Sequence, residues 1–183
     1  GFEGYSSEKL DALIDLLSDG DFEGEKVIIF TRFTKMIDIG IEALKKAGIK
    51  STRVTGAENI AERRAAMESF QDPKSDTSVI WISMAGGDAI NLQAARALIF
   101  YDTPWSAGDY IQILGRMIRI GSEHDRVYAL HLLCEDSIDE RVQETIKKKM
   151  RLIQQVIGDR IQGTKGQDIV YESGGETKDL WNS

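Results

Sequence analysis

A single cysteine, Cys134, leaves this 183-residue chain unable to form an internal disulfide. Such usage fits a reducing compartment, with the thiol read as a small buried hydrophobe. No apolar stretch approaches the roughly 20 residues that a bilayer-spanning helix needs. The N-terminal GFEGYSSEKL carries acids where a secretory leader has a basic region and an apolar run, so no signal peptide is expected there. The only histidines, His124 and His131, stand at no metal-ligand spacing with each other or with Cys134, which disfavours a zinc site. His131 lies in an apolar, strand-like run and reads as a core residue. No serine sits in a G-x-S-x-G elbow, and the dinucleotide fingerprint G-x-G-x-x-G is missing. A Walker A loop is missing too. GEK at Gly24 to Lys26 has the wrong glycine spacing, lacks a following Ser or Thr, and precedes an apolar run instead of following one; GTKGQD near the C-terminus also fails. No acidic pair after an apolar strand looks like a magnesium site.

What is present begins with uneven charge. The net charge of -7 is carried by residues 1–25, where eight acids face one lysine. Residues 26–75 hold ten Lys and Arg against six Asp and Glu. A mildly basic first half of the body permits a phosphate-contacting face without requiring one.

Apolar spacing then alternates between two periods. SSEKLDALIDLLSDG reads as a helix capped at Ser6 or Ser7, with Leu10, Leu13, Ile14 and Leu17 on one face, stopped by Gly20. DFEGE reads as a linker. KVIIFT is a short β-branched run suited to a strand buried on both faces. KMIDIGIEALKKAG is helical and ends on Gly48, STRVTG is a second strand, and NIAERRAAMESF is a helix with Asn59 as its cap. TSVIWIS is a third strand, LQAARA a short helical piece, LIFYD a fourth strand, SAGDYIQILGRMI a helix and RVYALHLL a fifth strand. SIDERVQETIKKKMRLIQQVI is a long amphipathic helix stopped by Gly158. The Gly-rich polar segment after it is expected to be loosely held. Strands alternating with helices predict an α/β fold, a parallel sheet with helices on both faces. Ligands of such sheets bind outside the carboxyl ends of the strands. The residues to inspect are therefore Arg32-Phe33, Thr55-Gly56, 83–91 and 102–105.

Two features there could meet an anion. The loop SMAGGDAIN, residues 83–91, follows a buried strand, and its paired glycines would let backbone N–H groups approach a phosphate; on this signal alone a tight strand-to-helix turn is the plainer reading. Arg116 and Arg119 lie three apart on one helix face, with Gln112 one turn earlier. They suit a polyphosphate, or they bridge acids such as Asp102, Asp109 or Asp125.

Several stretches together resemble one family. Q-x-x-x-R-x-x-R-I-G at Gln112 to Gly121 resembles motif VI of superfamily-two helicases, in the form used by Swi/Snf-type DNA translocases. S-x-A-G-G-x-x-I-N-L-x-A-A at Ser83 to Ala95 resembles motif V, and V-I-I-F-T-R-F at Val27 to Phe33 resembles motif IV. Gly56 with Glu62-Arg63-Arg64 and Phe70, D-x-x-W at Asp102 to Trp105, and VYALHLLCEDSIDERV complete the series over residues 7–157. The chain departs from the family at Asp88, where an apolar residue is common, at Ala89, where glycine is usual, and at Ser122, where glutamine is common.

The resemblance is to the second, C-terminal RecA-like lobe. It implies that the absent P-loop and magnesium ligands belong to an N-terminal lobe of the same protein, which would hold most of the ATP with Mg. It implies that Arg119 and Arg116 are arginine fingers, with Gln112 organising the γ-phosphate side. Gly87, Asp88 and Asn91 would face the nucleotide, while Arg32, Thr55, Gly56 and Ser83 would touch a nucleic-acid backbone. Trp105 would pack at the lobe edge, the favoured reading, or contact the nucleic-acid strand. The implied partner is DNA, duplex in form, with no membrane. The setting is intracellular, nuclear or bacterial alike. The expected division is an N-terminal helix and linker (1–24), the RecA-like lobe (25–134), a C-terminal brace helix (135–158) and a flexible tail (159–183). The isolated lobe is expected to be inactive. Other readings are a catalytically inactive interaction module and an RNA helicase lobe.

Overall fold

The computed structural model describes residues 2–18, 22–84, 92–102, 106–117, 126–132, 168–173 and 176–178. Its elements are α1 (Phe2–Ser18), β1 (Val27–Phe30), α2 (Thr34–Lys46), β2 (Lys50–Val54), α3 (Ile60–Gln71), β3 (Thr77–Ile82), β4 (Ala97–Phe100), α4 (Ala107–Met117), β5 (Arg126–His131), β6 (Asp168–Ser173) and β7 (Glu176–Lys178). The strands form one sheet in the order β2-β3-β1-β4-β5-β6-β7, parallel up to β6. β7 runs antiparallel to β6.

The sheet centre follows from alternation within VIIF. Val27 and Ile29 face a layer holding Leu10, Leu13 and Leu17 of α1 with Met36, Ile37 and Leu44 of α2. Ile28 and Phe30 face the other side, where α3 contributes Ala66 and Phe70 and α4 contributes Ala107, Tyr110 and Ile113. Successive strand residues point to opposite faces, so a strand covered twice must be apolar throughout.

Local chemistry fixes the helix ends. α2 stops in a Schellman arrangement: Gly48 adopts φ +79°, its N–H donates to the Lys45 carbonyl, and Ile49 N–H donates to the Leu44 carbonyl. α3 starts in a capping box, with Asn59 Oδ1 accepting from Glu62 N–H at 2.8 Å and Glu62 Oε2 accepting from Asn59 N–H at 2.9 Å. Ser106 Oγ accepts from Asp109 N–H at 3.1 Å and caps α4. Lys26, which fails as a P-loop lysine on sequence grounds, donates to the carbonyls of Asp72, Ser75 and Thr77 at the amino ends of the strands.

Four expectations need correction. Ser6 and Ser7 lie inside α1, which begins at Phe2; Gly4 is the only strong breaker before them, and one glycine costs a helix only about 1 kcal/mol. In DFEGE, Phe22 turns inward and meets Tyr128 edge-on with ring centroids 5.7 Å apart. LQAARA is a turn, because Arg96 N–H already donates to the Lys26 carbonyl at 2.7 Å and starts the sheet ladder. Within the expected loose tail, Asp168–Ser173 pairs with β5 from Arg126↔Asp168 to His131↔Ser173. Its Ile169, Val170 and Tyr171 have the β propensity to extend the sheet beyond β5. The brace helix and Cys134 lie outside the described residues.

Gly40 marks the tightest contact in the α2 layer. A Cβ there would sit 2.3 Å from the fully buried Trp81 indole. Replacing a helical glycine by alanine ordinarily gains about 1 kcal/mol, but overpacking costs about 1–3 kcal/mol. Gly40→Ala is therefore expected to lower stability in urea unfolding, and Trp81→Phe in the same chain to cost less than it does alone. A Gly40→Ala protein as stable as the parent would show that α2 is not held at this distance.

Candidate functional site

Loops leaving a parallel sheet diverge where the winding changes direction. Here β1 sends its chain toward β2, and its neighbour β4 sends its chain toward β5. The crevice between these carboxyl ends is the expected ligand position. Along this edge stand, in sheet order, Thr55 after β2, Ser83 after β3, Thr31 after β1 and Asp102 after β4. Backbone bonds continue the ladder into them: Ser83 N–H to the Val54 carbonyl, Thr31 N–H to Ile82 and Tyr101 N–H to Phe30.

Asp102 crosses the crevice. Its Oδ2 accepts from the Thr31 hydroxyl at 2.5 Å, and its Oδ1 accepts from Arg32 N–H at 2.8 Å and from Arg32 Nε at 3.2 Å. Thr31 Oγ1 in turn accepts from Phe33 N–H at 3.2 Å. The Arg32 and Asp102 side chains are only 8% and 5% exposed. Burial raises the Asp102 carboxyl above its ordinary range, and the bonds from Thr31 and Arg32, the Arg32 charge and the more distant Lys9 oppose that shift without cancelling it. Lys9 comes from α1 and donates to the Tyr101 carbonyl at 3.0 Å.

A second carboxylate occupies the β2 loop. Glu58 Oε2 accepts from Thr55 N–H at 2.7 Å, and both Glu58 oxygens lie within 3.0 Å of the Thr55 hydroxyl. Arg53 Nε stands 3.5 Å from Glu58 Oε1, and the other end of that guanidinium meets Asp38. Burial pushes the Glu58 carboxyl up, but the Thr55 hydrogen bonds and Arg53 outweigh it and hold the group below the usual carboxylate range.

Beyond these, Ser83 Oγ is buried with no hydrogen-bond partner among the described residues. α4 is fixed by stacked rings: Phe100 lies 4.9 Å from Tyr110 and 4.4 Å from His131 between centroids, and the Tyr110 hydroxyl is 3.0 Å from His131 Nε2. His131 is thus a core residue, as its strand position predicts. This stack orients the helix that carries Gln112, which is exposed, and Arg116. The Arg116 side chain, and all of Gly87, Asp88, Asn91, Trp105 and Arg119, lie outside the described residues. Gly56 is exposed beside Thr55.

Sequence reasoning missed one group and the partners of another. The strand end and the D-x-x-W resemblance both point to Asp102, with Arg116 and Arg119 as its candidate partners, whereas its oxygens are engaged by Thr31 and Arg32. Glu58 drew no notice, although Thr55-x-x-Glu58 has the spacing of a hydroxyl–carboxylate pair around a turn.

The family model described as the helicase conserved C-terminal domain matches residues 8–121. The chain belongs to this family. Among helicase C-terminal domains it sides with those of Swi/Snf type. It is 36% identical over 73% of its length to the ATP-dependent DNA helicase DDM1 of Arabidopsis thaliana, and 32% identical over 80% to the mouse SWI/SNF-related matrix-associated actin-dependent regulator of chromatin subfamily A member 1. The chain spans only 17% and 14% of those proteins. The crystal structure of the C-terminal part of the Fun30 ATPase domain superposes with a TM-score of 0.66 at 31% identity, covering 74% of this chain and 44% of that one. The helicase C-terminal fold is therefore shared, RecA-like parallel sheet included.

The Asp102 tie gives a pH signature in this helicase domain. Asparagine retains one acceptor but presents an amide donor to groups that already donate, so Asp102→Asn should cost roughly 1.5–3 kcal/mol. The folded carboxyl titrates above its unfolded value near 3.9. Its contribution is thus complete below the unfolded value and declines as pH rises through the folded one. Denaturant unfolding of both proteins across that window should show the wild-type advantage shrinking with rising pH. An advantage that grows instead would mean that the donors outweigh burial.

Proposed function

We propose that this lobe is the C-terminal half of an ATP-driven motor that moves along duplex DNA, completed by an N-terminal lobe of the same protein. The observation that supports this best is the crevice edge itself. It gathers Thr55, Ser83, Thr31 and Arg32 on adjacent strand ends. Hydroxyl, N–H and guanidinium donors of this kind bind a nucleic-acid backbone without reading its sequence, as a translocase requires. The names of the relatives, a DNA helicase and a regulator of chromatin, fit that substrate and a nuclear setting.

In this reading ATP with Mg rests mainly on the other lobe. The sequence offers no Walker A loop, and among the described residues no group of three or more His, Cys, Asp or Glu could hold a metal ion. What this chain fits is the far side of the nucleotide. Arg119 and Arg116 stabilise charge in phosphoryl transfer, Gln112 organises the γ-phosphate side, and Gly87, Asp88 and Asn91 face the nucleotide. Arg32, Thr55, Gly56 and Ser83 hold the DNA backbone; because Arg32 is bound to Asp102, its contact requires that ion pair to be shared or exchanged. The lobe alone is inactive, since the phosphate-binding half of the site is elsewhere. The long helix of 135–158 braces the lobe in the assembled motor.

The test is DNA-stimulated ATP hydrolysis by the two-lobe protein with Arg119→Ala or Arg116→Ala. An arginine finger is worth about 10³–10⁵ in turnover. Each variant should lose at least about a thousandfold while still binding ATP and DNA. Normal turnover in both would assign the arginines to structure. Stimulation by RNA in place of duplex DNA would move the lobe to an RNA helicase.

A further inference from the structure

We infer that Glu58 is an internal stand-in for a phosphate at the β2 loop, and that it sets how strongly this loop engages a nucleic-acid backbone. The inference rests on the nucleic-acid reading above and names a specificity-determining residue within it.

Glu58 gathers the Thr55 N–H at 2.7 Å, the Thr55 hydroxyl at 2.9 Å and Arg53 Nε at 3.5 Å. A backbone N–H, a threonine hydroxyl and a guanidinium are the groups that a phosphate oxygen recruits. A phosphate cannot use them while the carboxylate stays, because the two anions compete for the same hydrogens and repel each other. The Thr55 bonds and Arg53 keep Glu58 ionised, so the competition persists at neutral pH.

Two further observations distinguish Glu58 from a fixed structural tie. First, α3 does not need it: Asn59 and Glu62 already form the capping box, so the helix start survives if Glu58 leaves. Second, its position permits exchange. Asp102 makes a similar set of bonds, but it is 5% exposed and joins two different strands. Glu58 is 13% exposed and lies three residues from the threonine that it holds. A side-chain rotation releases it, with no strand displaced. Arg53 is 44% exposed and also carries Asp38, so it stays anchored when Glu58 departs. The Thr55 loop is thus a phosphate subsite held closed by its own carboxylate.

The test uses this chain and a labelled DNA duplex, with affinity read by fluorescence anisotropy across a low-salt series. Glu58→Ala should tighten binding about tenfold and steepen the salt dependence by about one phosphate's worth, a log–log slope change near -0.9. Glu58→Gln, which keeps the shape and removes the charge, should tighten it less. Thr55→Val placed in the Glu58→Ala chain should cancel most of the gain, since the freed hydroxyl is then gone. Thermal melts confirm that each variant is folded; if Glu58→Ala is not, Glu58→Gln carries the comparison. A wild type that binds DNA while neither Glu58 variant binds more tightly overturns this inference alone. A gain that survives Thr55→Val also overturns it, by assigning the effect to general charge. No binding by the wild type or any variant overturns it together with the nucleic-acid reading.

Discussion

The carboxyl edge of the sheet is organised by one buried carboxylate. Without Asp102, the Thr31 hydroxyl and the Arg32 N–H would face a crevice that has nothing of their own strand to offer them. Buried donors of this kind cost about 1–3 kcal/mol each when left unpaired. Asp102 satisfies both and adds the Arg32 guanidinium, so a single side chain from β4 determines the path of the chain leaving β1. The place matters as much as the bonds. β1 and β4 are neighbours whose following chains run in opposite directions, and the ladder between them runs on to Tyr101 N–H and the Phe30 carbonyl before the side-chain tie takes over. The tie stands where winding leaves the sheet otherwise open.

The layers behind the edge explain why it can be stiff. Each central strand is apolar on both faces, so it is clamped between α1 and α2 on one side and α3 and α4 on the other. The clamp is intimate at Gly40, where helix backbone rests on the Trp81 ring. It is directional at α4, where Phe100, Tyr110 and His131 stack and set the rotation of the helix about its axis.

Much of this was legible in the sequence, and the limits have physical causes. Runs such as VIIF and TSVIWI declare buried parallel strands because only burial on both faces tolerates them. Gly48 and Asn59 declare helix ends because a positive φ and an orphan N–H have few solutions. The crevice edge followed from strand ends alone. What stayed hidden was partner choice. Asp102 could have met any of several arginines, and spacing along the chain does not say which guanidinium arrives across a sheet. LQAARA has alanine-rich helix propensity, but its backbone was claimed by the ladder at Arg96. Phe22 sat among acids and read as linker, although one aromatic ring can anchor a turn. The strand Asp168–Ser173 lies in polar, Gly-rich surroundings whose composition outweighed three consecutive β-formers. The family resemblance did not point to Glu58, whose bonds become visible only in the fold.

The two carboxylates separate two demands on a lobe of this kind. A lobe proposed to move against a partner lobe needs one edge that keeps its shape and donors that can change partner. Asp102 joins two strands, is almost fully buried, and cannot leave without disturbing the sheet. Glu58 holds a loop that begins and ends within four residues, beside water and a cation that has a second anchor. If a backbone phosphate replaces Glu58 as proposed, the carboxylate keeps its donors aimed beforehand, so little ordering is left to be done at binding. It also opposes capture of any anion too weak to displace it. Rigidity at β1–β4 and exchange at β2 therefore follow from the same chemistry, a carboxylate on threonine and arginine, divided by burial and by how far along the chain the acceptor stands from its donors.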